Sequence, residues 1–146
     1  MTDTAELARG VVMAGIAGAR LDGDFPRFGG YLLFARDATL AEVRALTDEL
    51  RARDGDPLIA IDQEGGRVVR LGEGVEPMPP MMALGAADDL ELTRRAGEQT
   101  AFDLRRAGCT LDFAPVLDLA LDPRNTVIGT RSFGADPRRV AGLGAA

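Results

Sequence analysis

The fold of this chain is decided by one stretch, Leu58-Ile59-Ala60-Ile61-Asp62-Gln63-Glu64-Gly65-Gly66-Arg67-Val68-Val69-Arg70. Its first four residues are all apolar, which is typical of a short strand buried on both faces of a parallel sheet. The run then ends at two carboxylates, a glycine pair and two arginines. Parallel α/β proteins carry their sites at the carboxyl ends of the strands. The stretch therefore predicts a buried strand that delivers charged side chains to a site.

Three more apolar runs have the same form. They lie at residues 11–16, 30–34 and 110–116, and segments with helical spacing separate them. Strands that alternate with amphipathic helices predict a parallel sheet with helices on its faces. The pattern leaves two architectures open, a doubly wound sheet or the first half of a (β/α)8 barrel.

Three helices are predicted from the signals at their ends. Thr39 and Glu42 form a capping box, Asp88-Asp89 opens a second helix that Gly108 closes, and Asp136-Pro137 opens a third. The spacing places Leu40, Val43, Leu46, Thr47 and Leu50 on one face of the first helix, and the second helix carries Leu90, Leu92, Ala96, Phe102 and Leu104. The methionines around the prolines at residues 77–80 are expected to fill gaps against the sheet.

Composition excludes several classes of function. The 146 residues suffice for one domain with a core, and 17 basic against 23 acidic residues give a net charge of −6. An acidic chain without tryptophan is a poor candidate for binding nucleic acid or an anionic membrane.

The apolar run at residues 10–19 is too short to span a bilayer and follows Asp3 and Glu6 rather than basic residues. We therefore expect a cytoplasmic protein.

The chain contains no histidine and one cysteine. Ser-His-Asp and Cys-His catalysis and imidazole metal ligation are therefore excluded within this sequence. Cys109 is predicted to be a buried structural thiol, since no histidine is present to activate it and no second cysteine to pair with it.

The candidate site centres on Asp62, which directly follows the apolar run. Arg67 and Arg70 lie within a short loop of it, so a structural ion pair is one interpretation. The other is recognition of a polyhydroxylated ligand, because carboxylates accept hydrogen bonds from neighbouring hydroxyls and guanidinium groups donate them. Charges after the other strands, such as Arg36 and Asp37, are interpreted as solvated loop residues.

Five motifs in order along the chain resemble one family. They are GYLLFAR at residues 30–36, IDQEGGRVVRL at 61–71, PPMMALG at 79–85, DFAPVLD at 112–118 and VIGTRSFGADP at 127–137. Together they resemble the N-terminal domain of family 3 glycoside hydrolases, in the β-N-acetylhexosaminidase branch.

This resemblance implies a fold and an activity. The fold is a (β/α)8 barrel, of which residues 1–146 would supply the N-terminal half with about four parallel strands, since a closed barrel needs about 250 residues. The activity is release of terminal β-linked N-acetylglucosamine from cell-wall or chitin-type oligosaccharides with retention of configuration, as in peptidoglycan turnover. The expected partner is therefore a small carbohydrate.

The resemblance also assigns residues. It implies that Asp62, Arg70 and Arg131 bind the sugar and that Glu64 and Arg67 support them. The family's Lys-His pair, acid/base histidine and nucleophilic aspartate would all lie beyond Ala146. We therefore expect no catalytic residue, metal or cofactor in this chain, and no activity from it alone, because retaining hydrolysis needs both a nucleophile and an acid/base.

The sequence leaves two alternatives open. The chain could be a non-catalytic sugar-binding or structural half-barrel module. It could also be a different α/β enzyme in which Asp62, Glu64 and Asp118 supply oxygen ligands to Mg²⁺. The sequence makes no prediction of oligomeric state.

Overall fold

The computed structural model describes residues 3–21 and 25–146. The strands are β1 (Met13–Ile16), β2 (Gly30–Leu33), β3 (Leu58–Ile61) and β4 (Leu111–Asp112). The helices are α1 (Thr4–Gly10), α2 (Leu40–Asp54), α3 (Met81–Ala87), α4 (Leu90–Arg106) and α5 (Pro137–Ala145), and a 3₁₀ turn covers Gly129–Arg131. No helix within the described ranges combines the length and apolar character that crossing a membrane needs.

The four strands form one parallel sheet in the order β1-β2-β3-β4. Each strand pairs with the next one along the chain, so the order never reverses. A doubly wound sheet reverses its strand order at a switch point, whereas a barrel adds its strands consecutively. The order therefore selects the barrel type over the doubly wound alternative, and the predicted class of four parallel strands with flanking helices is confirmed.

The described residues form two compact units. The first contains the described part of Met1–Asp62 with Arg70–Val75 and Asp103–Asp112, and it holds the whole sheet. Its core is made by strand residues and the apolar face of α2, including Tyr31, Leu33, Val43, Leu46, Leu50, Ile59 and Ile61. The capping box that opens α2 is present, because Thr39 Oγ1 accepts from Glu42 N and Glu42 Oε2 accepts from Thr39 N.

The second unit contains Gln63–Val69, Glu76–Phe102 and Phe113–Ala146. Its core comprises Leu84, Phe133, Val140 and Leu143. A Cβ atom at Gly85 would lie 1.8 Å from the Phe133 carbonyl oxygen, so glycine is required where α3 meets that backbone. Asp136 caps α5 by accepting from Arg138 N and Arg139 N, as predicted.

The C-terminal end of α4 also matches its prediction. Cys109 N donates to Leu104 O and Gly108 N to Arg105 O, which is the hydrogen-bond pattern of a Schellman motif. Gly108 has φ +80°, and a Cβ atom there would lie 2.2 Å from Thr47 Oγ1. Both the left-handed backbone and the close approach of α2 require glycine.

Only two of the five apolar residues that the sequence analysis noted on α4, Ala96 and Leu104, lie inward. Leu90, Leu92 and Phe102 are exposed, whereas the inward positions follow the 3.6-residue repeat through Thr93, Ala96, Thr100, Asp103, Leu104 and Ala107. Apart from Leu104, the helix therefore turns small and polar residues inward, and three of its large apolar side chains lie off that repeat.

Three boundaries also differ from the expectations. The first strand begins at Met13 rather than residue 11, because the short helix α1 occupies the preceding segment. The fourth strand covers only Leu111–Asp112, and Pro115, which has no N–H, cannot extend its ladder. The methionine segment forms the helix α3, in which Met82 is exposed rather than packed.

Candidate functional site

In the first unit, Asp62 and Arg70 form an ion pair just beyond β3. Arg70 Nη2 donates to Asp62 Oδ2 at 3.2 Å. The side chains are 21% exposed for Asp62 and 19% for Arg70, so the pair is neither buried nor fully solvated. This arrangement shields the charges from bulk water while leaving part of each side chain reachable by a polar ligand.

The backbone of Arg70 is tied to the segment that follows β2. Ala38 N donates to Arg70 O at 3.2 Å, and Gly72 N donates to Ala38 O at 3.0 Å. Phe34 lies at the start of the same segment, and the centroid of its ring is 5.9 Å from Arg70 Cζ. Sequence reasoning did not select Phe34, although it ends the apolar run of the second strand and is 45% exposed.

An open pocket of about 410 Å³ lies beyond the carboxyl ends of β1 and β2. Its charged lining residues are Arg20, Arg36, Asp37 and Glu42, and small residues make up the rest. The structure therefore brings Arg36 and Asp37, interpreted as solvated loop charges, to the wall of a pocket. Glu42 is already engaged by the cap of α2.

In the second unit, Glu64 and Arg131 form a bidentate pair. Arg131 Nε donates to Glu64 Oε2 and Arg131 Nη2 to Glu64 Oε1, each at 2.7 Å. The Glu64 side chain is 4% exposed and that of Arg131 is 24% exposed. Parallel charge-assisted bonds of this kind fix the plane of the guanidinium group as well as its position.

The loop before Arg131 is held mainly by polar contacts. The Val127 carbonyl accepts from Arg67 Nη2 and from Arg131 Nη1, the latter at 3.3 Å. Asn125 Oδ1 accepts from the amides of Val127 and Ile128. On the other side, the buried Ser132 hydroxyl donates to Asp118 O at 2.5 Å, so Arg131 lies between two anchored segments.

The glycine pair explains how the turn carrying Arg67 is built. Gly65 has φ +83° and Gly66 has φ +58°, in the left-handed region that favours glycine. A Cβ atom would lie 2.7 Å from Pro79 O at Gly65 and 2.6 Å from Pro80 Cβ at Gly66. Gly66 N also donates to Met78 O at 3.0 Å, so the turn packs directly on the proline segment.

The structure thus brings the predicted residues together in two groups, one in each unit. Asp62 with Arg70 forms the first, and Glu64 with Arg67 and Arg131 forms the second. Sequence reasoning did not identify Glu64 as the partner of Arg131.

The Mg²⁺ alternative finds no support in the geometry. Asp62 and Glu64 are each paired with an arginine, and Asp118 contributes its backbone carbonyl rather than its carboxylate to the contact with Ser132. Within residues 3–21 and 25–146, no group of three or more His, Cys, Asp or Glu side chains is arranged to hold a metal ion.

Cys109 is buried, as predicted. Burial, with a smaller contribution from the nearby charge of Asp112, raises the pKa of its thiol to about 12. The group therefore stays protonated and non-nucleophilic at neutral pH.

Comparisons with known proteins agree with the motifs. The family model described as glycosyl hydrolase family 3 N terminal domain matches residues 24–146. The β-hexosaminidase of Chromobacterium violaceum is 43% identical over 153 residues, which span 94% of this chain and 42% of that protein. The β-hexosaminidase of Bordetella avium is 41% identical over 152 residues, which span 94% and 43%.

Solved structures give the same result. A family 3 β-N-acetylglucosaminidase from Paenibacillus sp. superposes with a TM-score of 0.87 at 36% identity, covering 99% of this chain and 30% of that one. NagZ from Neisseria gonorrhoeae in complex with N-trifluoroacetyl-D-glucosamine gives a TM-score of 0.81 at 38% identity, covering 94% and 45%. The chain thus spans less than half the length of these relatives. Because the family match covers most of the sequence, the resemblance is confirmed, and the chain belongs to the glycosyl hydrolase family 3 N terminal domain family.

Proposed function

We propose that this chain supplies the sugar-binding part of a retaining β-N-acetylhexosaminidase, with Asp62, Arg70 and Arg131 as the residues that bind terminal N-acetylglucosamine. The observation that carries the proposal is the half-shielded Asp62–Arg70 pair at the carboxyl end of β3. The names of the relatives support it, since several are β-hexosaminidases and one was crystallised with an N-acylated glucosamine.

Each residue in the proposal has a role that follows from its chemistry. The Asp62 carboxylate accepts hydrogen bonds from sugar hydroxyls, and Arg70 keeps that carboxylate in place while offering donors of its own. Glu64 fixes the plane of the Arg131 guanidinium group, so Arg131 meets the sugar without first losing rotamer freedom. Arg67 supports the same loop from the neighbouring turn.

The proposal assigns binding to this chain and bond cleavage to other residues. Retaining hydrolysis needs a nucleophile and an acid/base on either side of the glycosidic bond. Family resemblance assigns the acid/base to a histidine, and the 146 residues contain none. Residues 1–146 would accordingly be part of an N-terminal (β/α)8 barrel domain that acts on a small carbohydrate in the cytoplasm.

A binding titration tests the proposal. The purified chain is titrated with N-acetylglucosamine by ligand-observed NMR, and Asp62→Ala is expected to weaken binding at least about tenfold through loss of charged hydrogen bonds. The matched control is Asp48→Ala, which removes an exposed carboxylate paired with Arg44 on α2 and is expected to leave the affinity unchanged. Equal affinity of wild type and Asp62→Ala, or no binding by the wild type, would refute the assignment.

A second assay tests the division between binding and cleavage. The chain is incubated with 4-nitrophenyl N-acetyl-β-glucosaminide, and no release of 4-nitrophenol is expected. Turnover that disappears in Asp62→Ala would show that this sequence contains its own nucleophile and acid/base, and it would overturn that part of the proposal.

A further inference from the structure

We propose that Arg67 is a positioning residue that acts on Arg131 through the backbone carbonyl of Val127. The inference rests on the proposed function, because Arg131 is the sugar-binding residue it concerns. It goes further by specifying the contact through which Arg67 acts and the segment of chain on which it acts.

The contacts form a closed ring in the second unit. Arg131 donates from two nitrogen atoms to the two carboxylate oxygens of Glu64, and Arg131 Nη1 donates to Val127 O. Arg67 Nη2 donates to the same oxygen, and a short turn of chain leads from Arg67 back to Glu64. Arg131 is therefore held by one segment in two ways, directly by the carboxylate and indirectly through the carbonyl that both arginines share.

The turn that carries Arg67 is a firm base for this contact. Glu64 N donates to Val68 O at 3.0 Å, and Gly66 N donates to Met78 O at 3.0 Å. A Cβ atom at either glycine would collide with the proline segment, so the turn has little room to shift. The position of the Arg67 backbone is therefore fixed independently of the loop that its side chain binds.

The loop, by contrast, depends on polar contacts. Residues 121–127 are all exposed, so no buried apolar side chain anchors them. Asn125 arranges the backbone of the loop locally, whereas Arg67 ties it to a different part of the chain. Removing Arg67 should therefore loosen the backbone of the loop that carries Arg131, so that the pair with Glu64 holds Arg131 at the sugar for a smaller share of the time.

Three variants of the chain test this proposal. Arg67→Ala removes the contact, and Arg67→Lys keeps one cationic donor able to reach a carbonyl. Arg124→Ala is the control, because Arg124 lies in the same loop, has a 90% exposed side chain and pairs with Asp122. The readouts are amide hydrogen exchange of residues 119–133 and the affinity for N-acetylglucosamine by NMR titration.

For Arg67→Ala we expect amide exchange in residues 125–131 to rise about tenfold and the affinity to fall about fivefold, as for the loss of one hydrogen bond. Arg67→Lys should keep the amide exchange and the affinity close to their wild-type values, and Arg124→Ala should change neither.

Unchanged amide exchange of the loop in Arg67→Ala would overturn the proposal. So would lost affinity with unchanged exchange, because Arg67 would then contact the sugar itself. If the wild type does not bind N-acetylglucosamine, the proposed function fails. The amide hydrogen exchange of Arg67→Ala then still shows whether Arg67 holds the loop.

Discussion

Replacing Glu64 by glutamine removes a charge from a buried pair without changing the shape of the side chain. In the native chain Glu64 accepts two bonds of 2.7 Å from Arg131 and is 4% exposed. Glutamine keeps one acceptor oxygen but turns an NH₂ group toward the cationic guanidinium group. The variant therefore loses one charge-assisted bond and leaves a positive charge uncompensated.

The expected cost follows from the burial of each partner. Breaking a buried ion pair by removing one partner costs about 3–5 kcal/mol. Arg131 is 24% exposed, so water screens part of the charge left by Glu64→Gln, and we expect about 2–3 kcal/mol. Arg131→Met leaves the more buried carboxylate unpaired, and its expected cost is higher, about 3–5 kcal/mol. Since domains are stable by about 5–15 kcal/mol, both changes are large.

The assay is urea unfolding followed by far-UV circular dichroism, because the chain has no tryptophan for fluorescence. The double variant Glu64→Gln, Arg131→Met should cost less than the sum of the two single variants, because it leaves no buried charge. The control Asp122→Asn, at an exposed pair, should stay within about 0.5 kcal/mol of the wild type. A Glu64→Gln variant as stable as the wild type, or additive costs in the double variant, would refute the reasoning.

Two further predictions concern stability. Hydrogen bonds from Arg53, assisted by one from Tyr31, hold the pKa of buried Asp54 below its ordinary 3.8 against the opposing effect of burial. The stabilisation by the ionised Asp54 carboxylate is therefore fully present above about pH 4 and is lost as the pH falls through the lower pKa of the folded state. Between pH 5 and pH 3, the free energy of unfolding measured in urea should fall less for Asp54→Asn than for the wild type. Gly66→Ala should destabilise by about 1–3 kcal/mol, because of its positive φ and the collision with Pro80, whereas Gly97→Ala in α4, where a Cβ meets nothing within 4 Å, should stabilise by about 0.5–1 kcal/mol. Thermal unfolding of both glycine variants measures these changes, and equal shifts of Tm in Gly66→Ala and Gly97→Ala would contradict the steric argument.

Local signals in the sequence predicted the elements whose information is local. The apolar run Leu58–Ile61 is β3 with the same bounds, and the Thr39–Glu42 capping box opens α2. In both cases the residues that define the element lie next to one another. The helix α4 is different, because three of its large apolar residues, Leu90, Leu92 and Phe102, are exposed. Its inward side includes polar residues such as Thr93 and Asp103, which carry no hydrophobic signal.

The candidate site shows the same contrast. The Asp62–Arg70 pair was foreseen as one of two interpretations, because its members lie 8 residues apart in one loop. The Glu64–Arg131 pair joins residues 67 positions apart, and no periodicity or spacing relates them. The family resemblance implies that Arg131 binds the sugar and that Glu64 supports it, but only the folded chain reveals the direct bond between them.

The packing of Gly65 and Gly66 on the proline segment changes how the motifs should be interpreted. The two glycines of IDQEGGRVVRL are needed because they have no side chain. Pro79 and Pro80 of PPMMALG occupy the space that a Cβ atom would fill. The two motifs are therefore two parts of one packed structure, although residues 72–78 separate them along the chain. In a chimera of two relatives we therefore expect this packing to be kept when both motifs come from the same parent, because the turn at Gly65 and Gly66 is built against the proline segment.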